Sequence, residues 1–251
     1  MTTHTDRVRY WAIVPAAGVG RRMGGDIPKQ YLSLAGRSVL EHTLRRLSMH
    51  PVISEIIVVL HEDDQHWKDL HLEWVARPIK TVTGGEERCH SVLNGLNAIA
   101  RQANARDWVL VHDAARPCIR PDDIEQLITQ CQDDVGGILA LPVRDTMKYS
   151  NAEGYSQGTV DRENLWHALT PQIYRYGELH QALTSALNNN TLVTDESMAM
   201  DLAGYSTRFV EGHADNIKIT RPEDLALADF LLKQQQAIGI GDFDDGMADG
   251  G

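Results

Sequence analysis

The chain alternates short apolar runs with longer amphipathic stretches. Aliphatic and β-branched residues cluster in YWAIVP (10–15), EIIVVL (55–60), WVLVHD (108–113) and GGILALPV (136–143), with a weaker run in PIKTVT (78–83). Runs of about four to eight apolar residues bounded by turn formers read as strands buried on both faces. Between them, Val39, Leu40, Leu44 and Leu47, and later Val92, Leu93, Leu96 and Ile99, recur at helical spacing. Each set falls on one face of a helix. PDDIEQLITQ (121–130) and RPEDLALADFLL (221–232) each place a proline just before acids, as a first helical turn prefers. Strands taking turns with helices predict a mostly parallel sheet covered on both faces, through about residue 143.

There the rhythm breaks. RDTMKYSNAEGYSQGTVDRENLW (144–166) is polar and has a turn signal at Asn151–Gly154 between alternating flanks at Thr146–Tyr149 and Gly158–Val160. The pattern predicts a protruding β-hairpin arm. A lone hairpin is marginal in water, so a second subunit is the simplest surface for it to pack on. The stretch 237–251 carries Asp242, Asp244, Asp245 and Asp249, no base and no periodicity; it reads as an acidic, disordered tail. One domain over 1–236, with 144–166 as its arm, accounts for the rest.

Composition narrows the partners. Apolar residues make up 42 % and charged residues 24 %, ordinary for a globular protein. Lys and Arg number 24 against 35 Asp and Glu, a net charge of −11. Such a surface disfavours nonspecific binding to nucleic acid or membranes, so cations meant for an anionic ligand must be concentrated locally. The opening MTTHTDRVRY has no apolar signal region, and no later run is long enough to span a bilayer, which predicts a cytoplasmic protein. Cys89, Cys118 and Cys131 form no CxxC pair and read as small buried residues. His61, His66 and His71 recur every five residues, which spreads them around a helix and argues against a shared metal.

The local concentration of cations lies in VPAAGVGRRMGGDIPKQY (14–31). The dinucleotide fingerprint fails there because position 23 is Met, and the P-loop pattern fails because Asp26 and Ile27 follow Gly25. Gly18, Gly20, Gly24 and Gly25 still allow the backbone to approach a ligand closely, with Arg21, Arg22 and Lys29 alongside. By composition alone, a polyphosphate cradle and a solvated glycine turn with surface bases fit equally well.

PAAGVGRRM with PKQY, followed by VHDAARP, PVRDTMK, TVDR, LWHALTPQ, TDE, VEG and DNIKITRPEDLALA, resembles the 2-C-methyl-D-erythritol 4-phosphate cytidylyltransferase family. The similarity runs in order from about Ala12 to Phe230. It implies a single Rossmann-like α/β domain, and a reaction in which the acceptor's phosphate attacks the α-phosphorus of CTP with no covalent protein intermediate. Carried over by motif, Arg22 and Lys29 are the catalytic cations. Pro15, Ala16, Ala17, Gly18 and Gly20 wrap the nucleotide, while Gly85, Glu86 and Ser91 of GGEERCHS read the cytosine. Asp113, followed by Ala114, is the CTP and Mg²⁺ site. Arg116, Thr146, Arg162 and Lys218 position the substrate, Thr170 and Thr194 are lesser members of the site, and Asp215 or Asn216 lies near the metal. The family further implies a homodimer in which each arm completes the neighbouring active site.

For several of these residues a plainer role exists. Arg116 could equally be an ion-pair partner for an acid, the GGEE stretch a dipole-compensating helix start, and Arg162 a surface charge on the hairpin. His112 reads as a satisfied core histidine, since a phosphate nucleophile needs no base. Some family members are fused to a later enzyme of the pathway; too few residues follow 236 for a second domain, so one activity is expected. The runner-up acceptor is a pentitol phosphate such as ribitol 5-phosphate, and a catalytically silent nucleotide-binding module is the reading from another class. LWHALTPQ and the hairpin motifs favour the first acceptor. Retention of Arg22, Lys29, Asp113 and Lys218 disfavours a silent module, because a sensor needs affinity and not transition-state charge stabilisation.

Overall fold

In the computed structural model, which describes residues 7–18 and 27–240, the chain begins with β1 (Tyr10–Pro15), β2 (Ser33–Leu34), β3 (Arg37–Ser38), α1 (Val39–Met49), β4 (Ile53–Leu60), β5 (Ile79–Thr83) and α2 (Arg88–Ile99). It continues through β6 (Trp108–Val111), α3 (Pro121–Cys131), β7 (Gly136–Pro142), β8 (Lys148–Ser150), β9 (Ser156–Thr159) and β10 (Trp166–Arg175). The last elements are α4 (Tyr176–Asn188), α5 (Glu196–Leu202), β11 (Arg208–Glu211) and α6 (Glu223–Ala237).

The main sheet has seven strands in the order β11-β7-β10-β6-β1-β4-β5. All neighbours are parallel except β10, which runs antiparallel between β6 and β7. β1 shows why the sheet is covered on both sides. Trp11 and Ile13 point into a core shared with α2, α4 and α5, while Ala12 and Val14 point into one shared with α1 and α3. A third cluster joins Leu34, Val39, Ala115 and Cys118 to Ile219, Ala228 and Leu232, and so docks α6. Helix starts follow local chemistry. Ser38 and Glu41 form a reciprocal capping box at α1, and α3 opens on Pro121 with Asp122 and Asp123 in its first turn.

All five expected strands form, and their limits shift. β4 begins at Ile53, before the densest apolar run, and β6 ends at Val111, which leaves Asp113 in the loop beyond it. The final helix starts at Glu223 and runs to Ala237, so the expected boundary between domain and tail falls on its last residue. Residues 241–251 of the acidic tail lie outside the described residues.

Among the elements that the sequence pattern did not reveal is β10. WHALTPQIYR carries Pro171 inside a central strand, a residue that gives no ladder hydrogen bond. The register breaks there, between Ala168 and Gln172, and the interrupted pattern hides a strand that is otherwise buried along its second half.

The arm is a hairpin, as the alternation predicts. β8 and β9 pair antiparallel with Lys148 opposite Thr159, and the turn closes at Gly154 in the left-handed region, φ +86°, where glycine is favoured. Every residue of both strands is exposed. At the root, the Val143 N–H donates to Leu165 O (2.9 Å), and Trp166 leans on Phe209.

Candidate functional site

Parallel β1, β4, β5 and β6 end at one edge of the sheet, with Pro15 beside Val59, Leu60 beside Thr83 and Ile13 beside Val111. The loops that follow them emerge side by side, where open α/β sheets bind ligands. They enclose a cavity of about 250 Å³. Its walls are Pro15–Gly18 after β1, Lys29 and Gln30 from a short 3-10 turn, Gly85–Arg88 and Ser91 at the start of α2, Asp113–Ala115 after β6, and Lys218.

The β1 and β5 loops meet closely. A side chain at Gly84 would place its Cβ 2.6 Å from the Ala17 Cβ and 2.9 Å from Ser91 Oγ, so glycine is required there. The buried Ser91 hydroxyl accepts from the Gly85 N–H (3.1 Å), which ties the loop to its helix. Asp113 is the electrostatic centre. Lys218 Nζ stands 2.8 Å from its Oδ2, Arg88 Nε donates to its Oδ1 (3.2 Å), and Arg116 Nε lies 3.6 Å from Oδ2. Burial pushes this carboxyl upward, but Arg88, Lys218 and Arg116 together outweigh it and hold the group well below the usual carboxylate range.

Behind Asp113 the polar groups form a connected chain. The Arg116 carbonyl can only accept, so His112 Nε2 carries a proton and donates to it (3.1 Å). His112 Nδ1 then accepts from the Thr170 hydroxyl (3.0 Å), whose oxygen accepts from the Asp113 N–H (3.0 Å). Asn216 donates to Thr170 O (2.8 Å), and Arg116 Nη1 donates to Asn216 O (2.7 Å). Burial lowers the His112 pKa to about 4, so this core histidine is neutral, as its position suggested.

The structure therefore gathers Pro15, Ala16, Ala17, Gly18, Lys29, Gly85, Glu86, Ser91, Asp113, Ala114 and Lys218 around one cavity. Lys29 Nζ donates to Ile219 O (2.9 Å), one residue from Lys218, although 190 positions separate the partners in sequence. Gly20, Arg21 and Arg22 lie outside the described residues. Three of the residues expected to position the substrate sit elsewhere. Arg116 is buried behind Asp113 and does not line the cavity, which makes it a support for that carboxylate. Thr146 and Arg162 are exposed on the arm, where Arg162 donates to the Arg144 carbonyl. Thr194 is exposed and contacts Met198, and Asp215 is held by Arg120 (2.7 Å) and Gln235 (2.9 Å).

Sequence reasoning passed over Arg88, Glu196 and Gln172. Arg88 grips Glu196 with both terminal nitrogens, at 2.6 and 3.1 Å, and these carboxylates hold its guanidinium protonated against the cost of burial. The available signal was a cation on the first residue of a helix, which opposes the helix dipole and so needs another reason to be there. Gln172 sets Glu196 in place, donating to Asp195 (2.9 Å) and accepting from the Ser197 N–H (2.9 Å) at the start of α5.

Among the described residues no three His, Cys, Asp or Glu side chains converge on a metal position. Glu86, Glu87 and Asp113 line the cavity, and one or two such carboxylates beside nucleotide phosphates suit a divalent ion. The three cysteines are free and buried, and burial pushes the Cys118 and Cys131 thiols up to about 12. No helix among the described residues is long and apolar enough to cross a membrane.

A family model described as "IspD: 2-C-methyl-D-erythritol 4-phosphate cytidylyltransferase" matches residues 10–234. The chain is 53 % identical over 227 residues to a protein of that name from Aeromonas hydrophila, covering 90 % of each. It is 50 % identical over 226 residues to one from Vibrio atlanticus, covering 90 % of this chain and 96 % of the other. The crystal structure of the Francisella tularensis protein of the same name superimposes with a TM-score of 0.78 at 36 % identity, covering 89 % of this chain and 99 % of that one.

Proposed function

The chain belongs to the 2-C-methyl-D-erythritol 4-phosphate cytidylyltransferase family, and from that premise we propose how its cavity divides the work. The protein is a CTP-dependent nucleotidyltransferase that converts 2-C-methyl-D-erythritol 4-phosphate and CTP to 4-diphosphocytidyl-2-C-methyl-D-erythritol and pyrophosphate. An oxygen of the acceptor's phosphate bonds to the α-phosphorus as the bond from that phosphorus to the β-phosphate oxygen breaks. Pyrophosphate leaves with the electron pair. Two anions must approach each other, so catalysis rests on positioning and positive charge.

The observation that carries this reading is the convergence of Lys29, Lys218, Asp113 and the Pro15–Gly18 backbone on one cavity. The Ala16 N–H is taken by Val59 O (2.8 Å), so Ala17 and Gly18 offer the backbone N–H groups to the triphosphate beside Ala16, with Gly20 continuing the wrap. Gly85, Glu86 and Ser91 read the base, and a site whose polar groups pair with cytosine rejects other bases by leaving those groups unpaired. Lys29 and Arg22 stabilise charge at the α-phosphate and the departing pyrophosphate. Lys218, now paired with Asp113, is placed to serve the acceptor's phosphate. Asp113 is the carboxylate that would hold Mg²⁺, and the ion would supply charge neutralisation at the phosphates.

The exposed arm supports a homodimer in which Thr146 and Arg162 complete the partner's site, and a cytoplasmic location suits the acidic chain. A pentitol phosphate is the less favoured acceptor, since the family model and the named relatives all point to methylerythritol phosphate. A pyrophosphate-release assay crossing CTP, UTP and ATP with both acceptors tests the reading. Release is expected only from CTP with methylerythritol phosphate. Preference for ribitol 5-phosphate, or no release with either acceptor, overturns it.

A further inference from the structure

In the PKQ stretch the residue most completely enclosed is not the lysine but its neighbour. Gln30 is 4 % exposed, and its Nε2 donates to Ala16 O (2.6 Å) and to Gly18 O (3.1 Å). Both partners are carbonyl oxygens, which only accept, so the amide must present its NH₂ group and both protons are used. The peptide after Ala16 is planar and trans, so its N–H, that of Ala17, lies on the edge facing away from Gln30. Ala17 lines the cavity, and its N–H makes no hydrogen bond among the described residues.

We propose that Gln30 is a positioning residue for the nucleotide: by engaging the Ala16 and Gly18 carbonyls it turns the Ala17 N–H toward the triphosphate of CTP. This rests on the reading of Pro15–Gly18 as the nucleotide wrap. Without the clamp a short glycine-containing loop is free to rotate its peptides, and a carbonyl facing the cavity would repel phosphate oxygens. A neutral amide does this without adding a charge that would compete with Lys29 for the phosphates.

The test is CTP binding by calorimetry without acceptor, beside steady-state kinetics and melting temperatures, for the parent, Gln30→Glu and Gln30→Met. Gln30→Glu keeps the shape but sets an acceptor oxygen against two carbonyls. Its CTP Kd at pH 8 is expected to rise about tenfold or more with the acceptor KM close to parental, while the unpaired buried carboxylate also lowers the melting temperature. A buried carboxyl among acceptors titrates high and, once protonated, can donate again, so the affinity of Gln30→Glu should recover toward the parent near pH 6. Gln30→Met loses affinity without that recovery. The proposal is overturned if both variants bind CTP as the parent does. It is equally overturned if weaker CTP binding comes with a matching rise in acceptor KM in both variants, as a purely structural role requires. Failure of the parent itself to bind CTP would instead remove the nucleotide-wrap reading beneath it.

Discussion

Replacing Arg88 with methionine removes the guanidinium and keeps an unbranched side chain. Glu196, whose side chain is 1 % exposed, then loses bonds of 2.6 and 3.1 Å, and Asp113 loses one of 3.2 Å. Breaking a buried ion pair from one side costs about 3 to 5 kcal/mol, because the other charge stays behind uncompensated. The Arg88 side chain is 26 % exposed, so water reaches that end of the pair and the lower figure applies. For a chain of this size about 1 kcal/mol shifts Tm by about 2 to 4 °C; Arg88→Met should therefore melt about 6 to 12 °C below the parent. Adding Glu196→Leu removes the stranded carboxylate, and most of the lost stability should return, giving a favourable coupling in the double-mutant cycle. Turnover should not return with it, since Asp113 still lacks its Oδ1 partner. Thermal melts at fixed protein concentration followed by pyrophosphate-release kinetics measure both quantities. A shift below about 2 °C, within what an ordinary surface substitution gives, would refute the reasoning. So would a double variant no more stable than Arg88→Met.

Other expectations follow from the same geometry. Lys29→Ala and Arg22→Ala should each lower kcat by roughly 10²-fold or more, as loss of a charge aimed at the transition state does; near-parental turnover would remove them from the chemistry. Arg162→Ala should chiefly raise the acceptor KM, and mixing it with Lys29→Ala protein should restore part of the activity if sites are shared across a dimer. Subunit-exchanged mixtures that stay inactive would argue against the shared site. Burial holds His112 at a pKa of about 4 against 6.5 in the unfolded chain. Below about pH 6.5 the unfolded chain gains a proton that the native site refuses, so this stability is complete above that pH and is lost, by roughly 3 kcal/mol, as pH falls toward 4. Denaturation between pH 7 and 4 should show a shallower decline in His112→Gln than in the parent, and equal slopes would contradict the assignment.

β1, β4, β6 and β7 were legible as unbroken apolar runs because a strand buried on both faces leaves no room for polar positions. α1 and α2 were legible because one apolar stripe repeats with the helical turn. The order of the motifs along the chain likewise pointed to Ala16, Ser91, Asp113 and Lys218 as residues of one site. Local pattern says which face of an element is buried. It does not say what the buried face meets. β10, with Pro171 and the buried Gln172 in its middle, reads as a polar segment until β6 and β7 are seen to flank it. Arg88 and Glu196 stand 108 positions apart, so neither carries a sign of the other. Arg116 shows the same division: its charge and its nearness to Asp113 are plain in the sequence, but whether it lines the cavity or braces the carboxylate from behind depended on the packing of Asn216 and Thr170 around it. A charged side chain takes its role from the dielectric and the partners around it, and those come from the folded chain as a whole.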